Sequence, residues 1–499
     1  MKILFVHLGR ENLGIEYLSS ILKEEGHDVH LAVDIGLFGK NDNIFYVPTI
    51  ESIFSMSSSI VEKYKRIKPD MVCFSVYTGT IKWALRMAER LKLIKDVPVI
   101  MGGVHVTLAP ESVLLSNAVD FGVRGEGETV IAELAKSIEN NRSPEHLAGI
   151  IYRNKGEIKV NGYAPPVKDL DALPFPDKSL FEHSLNIADD YMTLPARGCP
   201  YSCTYCCEQP IRETYGGEKY CRLRSVDNLL EELKIMKSRY KYSEVYFCSP
   251  IFPYQKEWIE EFSRKYPKEI GVPFWCYAHI KHADAEIARL LVDAGCFKVE
   301  FGLQTVNEDL RRKVFNRNDT NVDVSNAFSA FEKEGLPYDI GHIVHIPGET
   351  EDDYRQAVRF YSRFVLIHRI KVFTLTLFPG TRMLESAIEN GWIDKGLREK
   401  IYNGESGDYF HSPSFFESLP DWKIAAYSRL ISLTPILPRG WAPVFLSPRL
   451  LRLTSLAPKF LIRLAEMLYL IGIKDLRMRL YLKLYLRHIA QLITRKRKA

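Results

Sequence analysis

The chain of 499 residues holds no uninterrupted apolar run long enough to cross a bilayer, which argues against a helical membrane-spanning protein. Its nine cysteines do not form the dense framework of a small disulfide-stapled secreted domain. The opening Met1-Lys2-Ile3-Leu4-Phe5-Val6 reads as a short strand, with none of the layout of a signal peptide. These readings point to a reducing cytoplasm, where free thiols persist. No basic stripe interleaved with aromatics and no nucleic-acid motif occurs, so no nucleic-acid partner is expected. What remains is ordinary globular material, 46% apolar and 26% charged, long enough for two or three domains.

The most informative residues present are three of those cysteines. Cys199, Cys203 and Cys206 lie in the run Arg197-Gly198-Cys199-Pro200-Tyr201-Ser202-Cys203-Thr204-Tyr205-Cys206. Thiolates are the usual ligands of iron–sulfur clusters. Three local thiolates on a four-iron cluster leave one iron open, as a reactive centre requires. Zinc is the rival reading. It wants a fourth Cys or His, and the adjacent Cys207 cannot easily point the same way as Cys206. A third reading is that all three are buried, inert thiols.

Residues 1–140 alternate strand and helix. Expected strands are Lys2 to His7, Asp28 to Val33, Met71 to Val76, Val97 to Met101 and Val119 to Val123, with helices Gly14 to Glu25 and Thr80 to Leu93 among them. This rhythm predicts an α/β fold, a doubly wound parallel sheet with helices on both faces. Ligands of such sheets bind beyond the carboxyl ends of the strands. There the sequence places Ser75-Val76-Tyr77-Thr78, Gly102-Gly103-Val104-His105 and Arg124-Gly125-Glu126-Gly127-Glu128, where glycine lets backbone approach a large ligand.

Residues 141–190 read as a connection, turn-rich around Leu173-Pro174-Phe175-Pro176. Alternation resumes over 191–390. Candidate strands are Tyr191–Pro195, Glu244–Cys248, Pro273–Tyr277, Lys298–Gly302, Asp339–Ile346 and Ile370–Leu377. Six such units suit a partial β6α6 barrel, whose active site would lie at the carboxyl ends of the strands. Cys207, Cys221, Cys248 and Cys276 lack cluster spacing and read as small apolar residues. Cys248 and Cys276 end candidate strands, which leaves either a place facing the cavity.

The cysteine run, with the aromatic Tyr205 before its last thiol, resembles the signature of the radical SAM enzymes. That resemblance implies a 4Fe-4S cluster on Cys199, Cys203 and Cys206. The open iron would hold S-adenosylmethionine, whose reductive cleavage yields a 5′-deoxyadenosyl radical. It also assigns Tyr205 and Gln304 to that cofactor, since Gly295 to Thr305 looks like the family's fourth strand. Pro347-Gly348-Glu349-Thr350 and Pro379-Gly380-Thr381 resemble its later turns. Two positions depart from the pattern. Cys248-Ser249-Pro250 stands where relatives often carry aspartate, and His345 stands where they often carry glycine. His345 is therefore a candidate acid, base or substrate ligand; the other reading is a histidine hydrogen-bonded in the barrel wall.

The N-terminal loops resemble the cobalamin-binding domain that precedes many radical SAM domains. This assigns Ser75, Tyr77, Gly102, Gly103, His105, Gly125, Glu126 and Gly127 to cobalamin. The Asp-x-His-x-x-Gly motif that supplies a lower axial histidine is absent, and His7-Leu8-Gly9 occupies that loop instead. The family resemblance implies methyl transfer to an unactivated carbon or to phosphorus of a small-molecule substrate, with an external one-electron donor. A cobalamin-independent radical SAM oxidoreductase or cyclase, and a non-enzymatic iron–sulfur or zinc module, are the alternatives.

Charge is uneven. Residues 421–499 carry sixteen Lys and Arg against three Asp and Glu, a net of +13, which leaves residues 1–420 at −8. The region 391–499 reads as helical, with Leu450, Leu451, Leu453, Phe460, Leu461, Leu464, Leu468 and Leu470 set among Arg449, Arg452, Lys459 and Arg463. One reading packs these helices on the enzyme with their basic side outward. The other lays them on an anionic membrane, with peripheral attachment and a lipid-like substrate.

Overall fold

A computed structural model describes residues 1–39, 46–185, 187–405, 415–416 and 419–496. They form two compact units. The first comprises Met1–Ile187, Tyr205–Arg222 and Leu377–Asp408; the second comprises Ala188–Thr204, Leu223–Thr376 and Tyr409–Ala499.

The first unit is built on a seven-stranded sheet: β1 (Lys2–Leu8), β2 (Asp28–Asp34), β3 (Met71–Ser75), β4 (Val99–Gly102), β5 (Phe121–Val123), β6 (Ile150–Asn154) and β7 (Glu157–Val160). Their order is β2-β1-β3-β4-β5-β6-β7. The first five are parallel. Strands buried on both faces read as continuous apolar runs, and Ile3, Leu4, Phe5 and Val6 are all buried. The helix Leu13–Glu24 starts where Asn12 Oδ1 accepts the Ile15 N–H at 3.1 Å. Leu4, Val6, Val72, Phe74, Val99 and Met101 form the core with Ile81, Ala84, Ala88 and Leu91 of the helix Ile81–Lys92.

The segment read as a connection carries structure. β6 and β7 form an antiparallel hairpin on the edge of this sheet. Lys155-Gly156, both with positive φ, makes the turn. Downstream, Asp177 and Lys178 are tied to the first helix, since Asp177 accepts from Ser19 and pairs with Lys23 at 2.6 Å. Residues 377–408 also pack here. Gly380 lies against Leu108, Gly404 against Ile81, and Glu405 pairs with Lys82 at 2.9 Å.

In the second unit, β8 (Tyr191–Thr193) is followed by two-residue strands, β9 (Ala196–Arg197) and, at the boundary between the units, β10 (Arg222–Leu223). Then come β11 (Val245–Phe247), β12 (Phe274–Ala278), β13 (Cys296–Gln304), β14 (Tyr338–Val344) and β15 (Ile367–Thr374). Six of these make an all-parallel sheet in the order β15-β14-β13-β12-β11-β8. Each strand thus pairs with the next along the chain, the signature of β/α units, and β8 and β15 are the two edges of an open barrel. One face packs on helices: Phe247 against Phe262, and Phe301 against Phe328 and Phe331. The residues alternating with these form the inner face.

The C-terminal helices Asp421–Leu433, Pro448–Leu456, Lys459–Gly472 and Leu476–Lys496 belong to the second unit. Among the described residues no helix is long and apolar enough to cross a membrane. Arg497 and Lys498, at the end of the basic tail, lie outside the described residues.

Candidate active site

The cysteine loop follows β8 and β9. Cys199 and Cys203 belong to the second unit, and Tyr205 and Cys206 begin the segment assigned to the first. None of the three is in a disulfide; Cys203 is buried and the others half-buried. The loop is tethered within its own unit. The Thr204 N–H donates to the Phe315 carbonyl at 3.3 Å, Thr204 Oγ1 to the Val314 carbonyl at 2.6 Å, and Asn316 Nδ2 to the Ser202 carbonyl at 3.0 Å.

Tyr201, between the first two cysteines, rests on a stack of rings. Its ring lies 3.9 Å from that of His279 and 12° from parallel, and its hydroxyl is 2.7 Å from His282 Nε2. His282 in turn stacks on Tyr254 at 3.5 Å. Arg317 donates to His279 Nε2 at 3.1 Å and pairs with Asp319 at 3.2 Å. Burial, aided by the Arg317 charge, pushes His279 down to about 2, so it is a neutral acceptor.

Arg317 leads to the strand ends. A Cβ at Gly302 would sit 2.6 Å from Gln304 Nε2 and 3.9 Å from Arg317 Nη1. The Gln304 amide therefore folds back over Gly302 and, across the register, beside Gly341. Gln304 has φ of +72° and His345, just past the neighbouring strand, has +64°. Two non-glycine residues in the left-handed region at adjacent strand ends mark a strained rim, and such strain gathers at functional sites. His345 is half-buried, and its Nδ1 has no partner. Burial lowers its pKa, opposed by a hydrogen bond with the Phe416 backbone. In the turn that follows, Glu349 accepts the Ile346 N–H at 3.2 Å and the Tyr354 hydroxyl. Burial raises Glu349 to about 8.

Sequence reasoning missed the charges on the inner face. Lys298 pairs with Asp475 at 2.5 Å, and Glu300 with Lys371 at 2.5 Å and Arg477 at 3.3 Å. Lys371 and Arg477 hold the Glu300 carboxyl down at about 2, against burial. The Arg477 guanidinium lies 3.4 Å over the Trp275 ring, which stacks on Tyr246 at 3.8 Å. The signal was present in Lys298-Val299-Glu300-Phe301-Gly302-Leu303-Gln304, where polar and apolar residues alternate. Cys276 shares the opposite face with Phe274; its thiol is buried beside Cys296 and pushed well up.

In the first unit the expected residues lie at the carboxyl ends of β3, β4 and β5, and the packing gives several of them a local role. Gly103 has φ of +104°, and a Cβ there would be 2.5 Å from the Val76 carbonyl oxygen. Gly125 has φ of +94°, with Ala164 O and the Tyr215 hydroxyl in the space of its missing Cβ. Glycine is thus required at both by neighbouring protein atoms. Gly102 meets nothing nearer than 3.6 Å, and Gly127 lies against Leu18. Ser75 is half-buried and Tyr77 exposed. His105, expected to face a cofactor, is 1% exposed, with Nδ1 at 3.1 Å from Thr78 Oγ1 and Nε2 at 3.1 Å from Ser112 Oγ. Both ring nitrogens are already engaged, and burial lowers it to about 4. Glu126 receives Arg222 at 2.5 and 3.1 Å and the Val167 N–H at 2.7 Å, so it clamps its loop.

The donor set suits a cluster better than a single ion. Among the described residues no three His, Cys, Asp or Glu side chains converge on one metal position. A zinc ion needs all its ligands about 2.0–2.3 Å away. In a four-iron cluster each thiolate binds a different iron, so the thiols stand apart. Cys207 is no ready fourth ligand, since burial pushes its thiol up to about 12.

Comparison with known proteins matches the B12 binding domain over residues 9–135 and the Radical SAM superfamily over residues 193–361. The chain is 26% identical over 388 residues to a protein of Pyrococcus horikoshii named as an uncharacterized methyltransferase, covering 76% of this chain and 79% of that one. It is 23% identical over 387 residues to the anaerobic magnesium-protoporphyrin IX monomethyl ester cyclase of Rubrivivax gelatinosus, covering 72% and 65%. Its fold is similar to that of the radical S-adenosylmethionine methyltransferase TsrM from Kitasatospora setae, solved with cobalamin and a [4Fe-4S] cluster bound. The TM-score is 0.62 at 16% identity, over 78% of this chain and 75% of that one.

Proposed function

Because the chain belongs to the radical SAM enzymes that carry a B12-binding domain, we propose that it transfers a methyl group to an unactivated carbon, or to phosphorus, of a small-molecule substrate. When bound, the cluster supplies the electron that cleaves S-adenosylmethionine, and cobalamin supplies a carrier for the methyl group. The observation that carries this reading is the loop of three closely spaced cysteines, none in a disulfide, behind the first strand of an open β/α barrel, in a chain that also holds the B12-binding sheet. Cys199, Cys203 and Cys206 hold the cluster. Tyr205 and Gln304 contact S-adenosylmethionine, with Gln304 preset by its left-handed backbone. His345 presents an unpartnered ring nitrogen at the strained rim, as a substrate-contacting acid or base would. Ser75, Tyr77 and Gly102 line the carboxyl end of the first sheet, where cobalamin would approach. The methyltransferase among the relatives supports transfer as the reaction; the cyclase favours ring formation as the second reading.

The partners are a small-molecule substrate and an external one-electron donor. The basic, leucine-bearing C-terminal helices favour a lipid-like substrate met at a membrane surface.

Anaerobic reconstitution tests the reading. We expect about four irons per chain, bound cobalt, and 5′-deoxyadenosine on reduction with S-adenosylmethionine, all of the last lost in Cys203→Ala. Stoichiometric zinc, or 5′-deoxyadenosine from Cys203→Ala, overturns it. Iron with no cobalamin uptake removes the methyl-transfer reading and leaves the cyclase.

A further inference from the structure

The two short helices Pro448–Leu456 and Lys459–Gly472 turn apolar side chains outward. In the first, Arg449, Arg452, Leu453 and Leu456 are exposed, and their spacing of three and four places them on one face. Leu451 and Thr454 are buried on the other. Across the link Ala457-Pro458, Lys459, Phe460 and Leu461 are exposed as well. Leu453 is 62% exposed, Leu456 72%, Phe460 54% and Leu461 51%; Trp441 and Val444, just upstream, are 58% and 59%. Leu468, one heptad beyond Leu461, is exposed too. Single exposed apolar residues are normal on a protein surface, whereas a run of this density marks an interaction site.

The charge of the stretch says what covers it. Residues 439–465 contain five Lys and Arg and no Asp or Glu. Arg439, Arg449, Arg452 and Lys459 are exposed beside the apolar residues. A second copy of the same patch would set these cations against their own images, since a twofold contact pairs a surface with itself. An anionic lipid surface answers both features. Leucine and phenylalanine enter the acyl boundary, and long basic side chains reach up to the headgroups. At 1.5 Å per residue these helices are about 14 and 21 Å long, too short to span and long enough to lie in the interface.

We infer that these two helices, with Leu453, Leu456, Phe460 and Leu461 flanking the link between them, seat the protein on an anionic bilayer. The inference deepens the membrane reading above and is independent of the methyl-transfer reading.

Flotation of the full chain with vesicles of phosphatidylcholine, with or without phosphatidylserine, tests it. Wild type should partition to the anionic vesicles about tenfold or more over the neutral ones, and rising salt should weaken the binding. Leu453→Ser/Leu456→Ser/Phe460→Ser should lower binding about tenfold or more at fixed charge. Arg449→Gln/Arg452→Gln should remove most of the anionic preference. These residues are exposed, so both variants should keep the wild-type melting temperature and the same 5′-deoxyadenosine yield. Negligible flotation of wild type with both vesicles overturns the inference, as does binding that the triple variant leaves unchanged. A concentration-dependent dimer that the triple variant abolishes, without vesicle binding, would assign the patch to a second copy. Vesicle failure with intact S-adenosylmethionine cleavage sinks this inference alone.

Discussion

Tyr201 lies flat on His279, 3.9 Å between ring centroids and 12° from parallel, in the short stretch between Cys199 and Cys203. A ring stack and the 2.7 Å contact of its hydroxyl with His282 fix the middle of the cysteine loop. His279 is held by Arg317, which also pairs with Asp319. The middle of the loop that offers the thiols therefore rests on a chain of contacts from His279 through Arg317 to Asp319.

Removing that support should loosen the cluster. Stacking contributes about 0.5–1.5 kcal/mol and the hydrogen bond about 1 kcal/mol. Tyr201→Ala should weaken iron retention about thirtyfold and alter the electron paramagnetic resonance spectrum of the reduced cluster. Tyr201→Phe keeps the stack and should fall between. Iron content after gel filtration is the measurement; wild-type iron and an unchanged spectrum in Tyr201→Ala would refute the support role.

Lys178 should anchor the chain that leaves the first sheet. Its ammonium is fully buried, 2.7 Å from Glu11 and 2.8 Å from the equally buried Glu16. Lys178→Met leaves Glu16 without its cation, which costs about 3–5 kcal/mol. Adding Glu16→Leu should restore much of the loss. Urea unfolding of the single and double variants decides it, and an additive double variant would show that the pair is not coupled.

The two neighbouring glycines should separate packing from ligand contact. Gly103→Ala forces a side chain against the Val76 backbone at positive φ, and should cost about 1–3 kcal/mol. Gly102→Ala has room and should melt as wild type does. If cobalamin comes close to Gly102, its uptake should fall in that variant with no change in melting. Equal melting of both alanine variants would contradict the close approach of the Val76 backbone to Gly103.

Acid should destabilise the first unit from about pH 6.5 downward. His7 and His105 are buried and neutral, each lowered from 6.5 to about 4. Between those values the unfolded chain binds a proton that the folded chain refuses, so stability falls as pH falls. Each histidine contributes a slope of about 1.4 kcal/mol per pH unit in that window. His105→Gln should remove one of the two contributions. Urea midpoints followed by circular dichroism at pH 7, 6 and 5 test this, and a slope unchanged by the substitution would count against it.

Much of the architecture was readable because its signals are short-range. The alternation of strand and helix, the caps and glycine stops, and the order of the turns all act over a few residues. The expected strands fall on β1 to β5 and on the six strands of the barrel sheet, with ends shifted by a few residues. The hairpin at Lys155-Gly156 carried a turn signal too, masked by the proline-rich stretch after it.

Sequence alone determined the thiol spacing at Cys199, Cys203 and Cys206, the two α/β rhythms and the +13 charge of the last 79 residues. Only the tertiary structure decided what lies beside each candidate. His105 meets Thr78 and Ser112, Gly125 meets Ala164 and Tyr215, and Lys298 meets Asp475 across 177 residues of chain. Which side of Pro448–Leu456 faces outward was likewise open, because leucine and arginine share both the sequence and the face. The physical reason is range: periodicity and ligand spacing are written in neighbouring residues. Desolvation, close packing and charge pairing depend on partners that only the folded chain brings together.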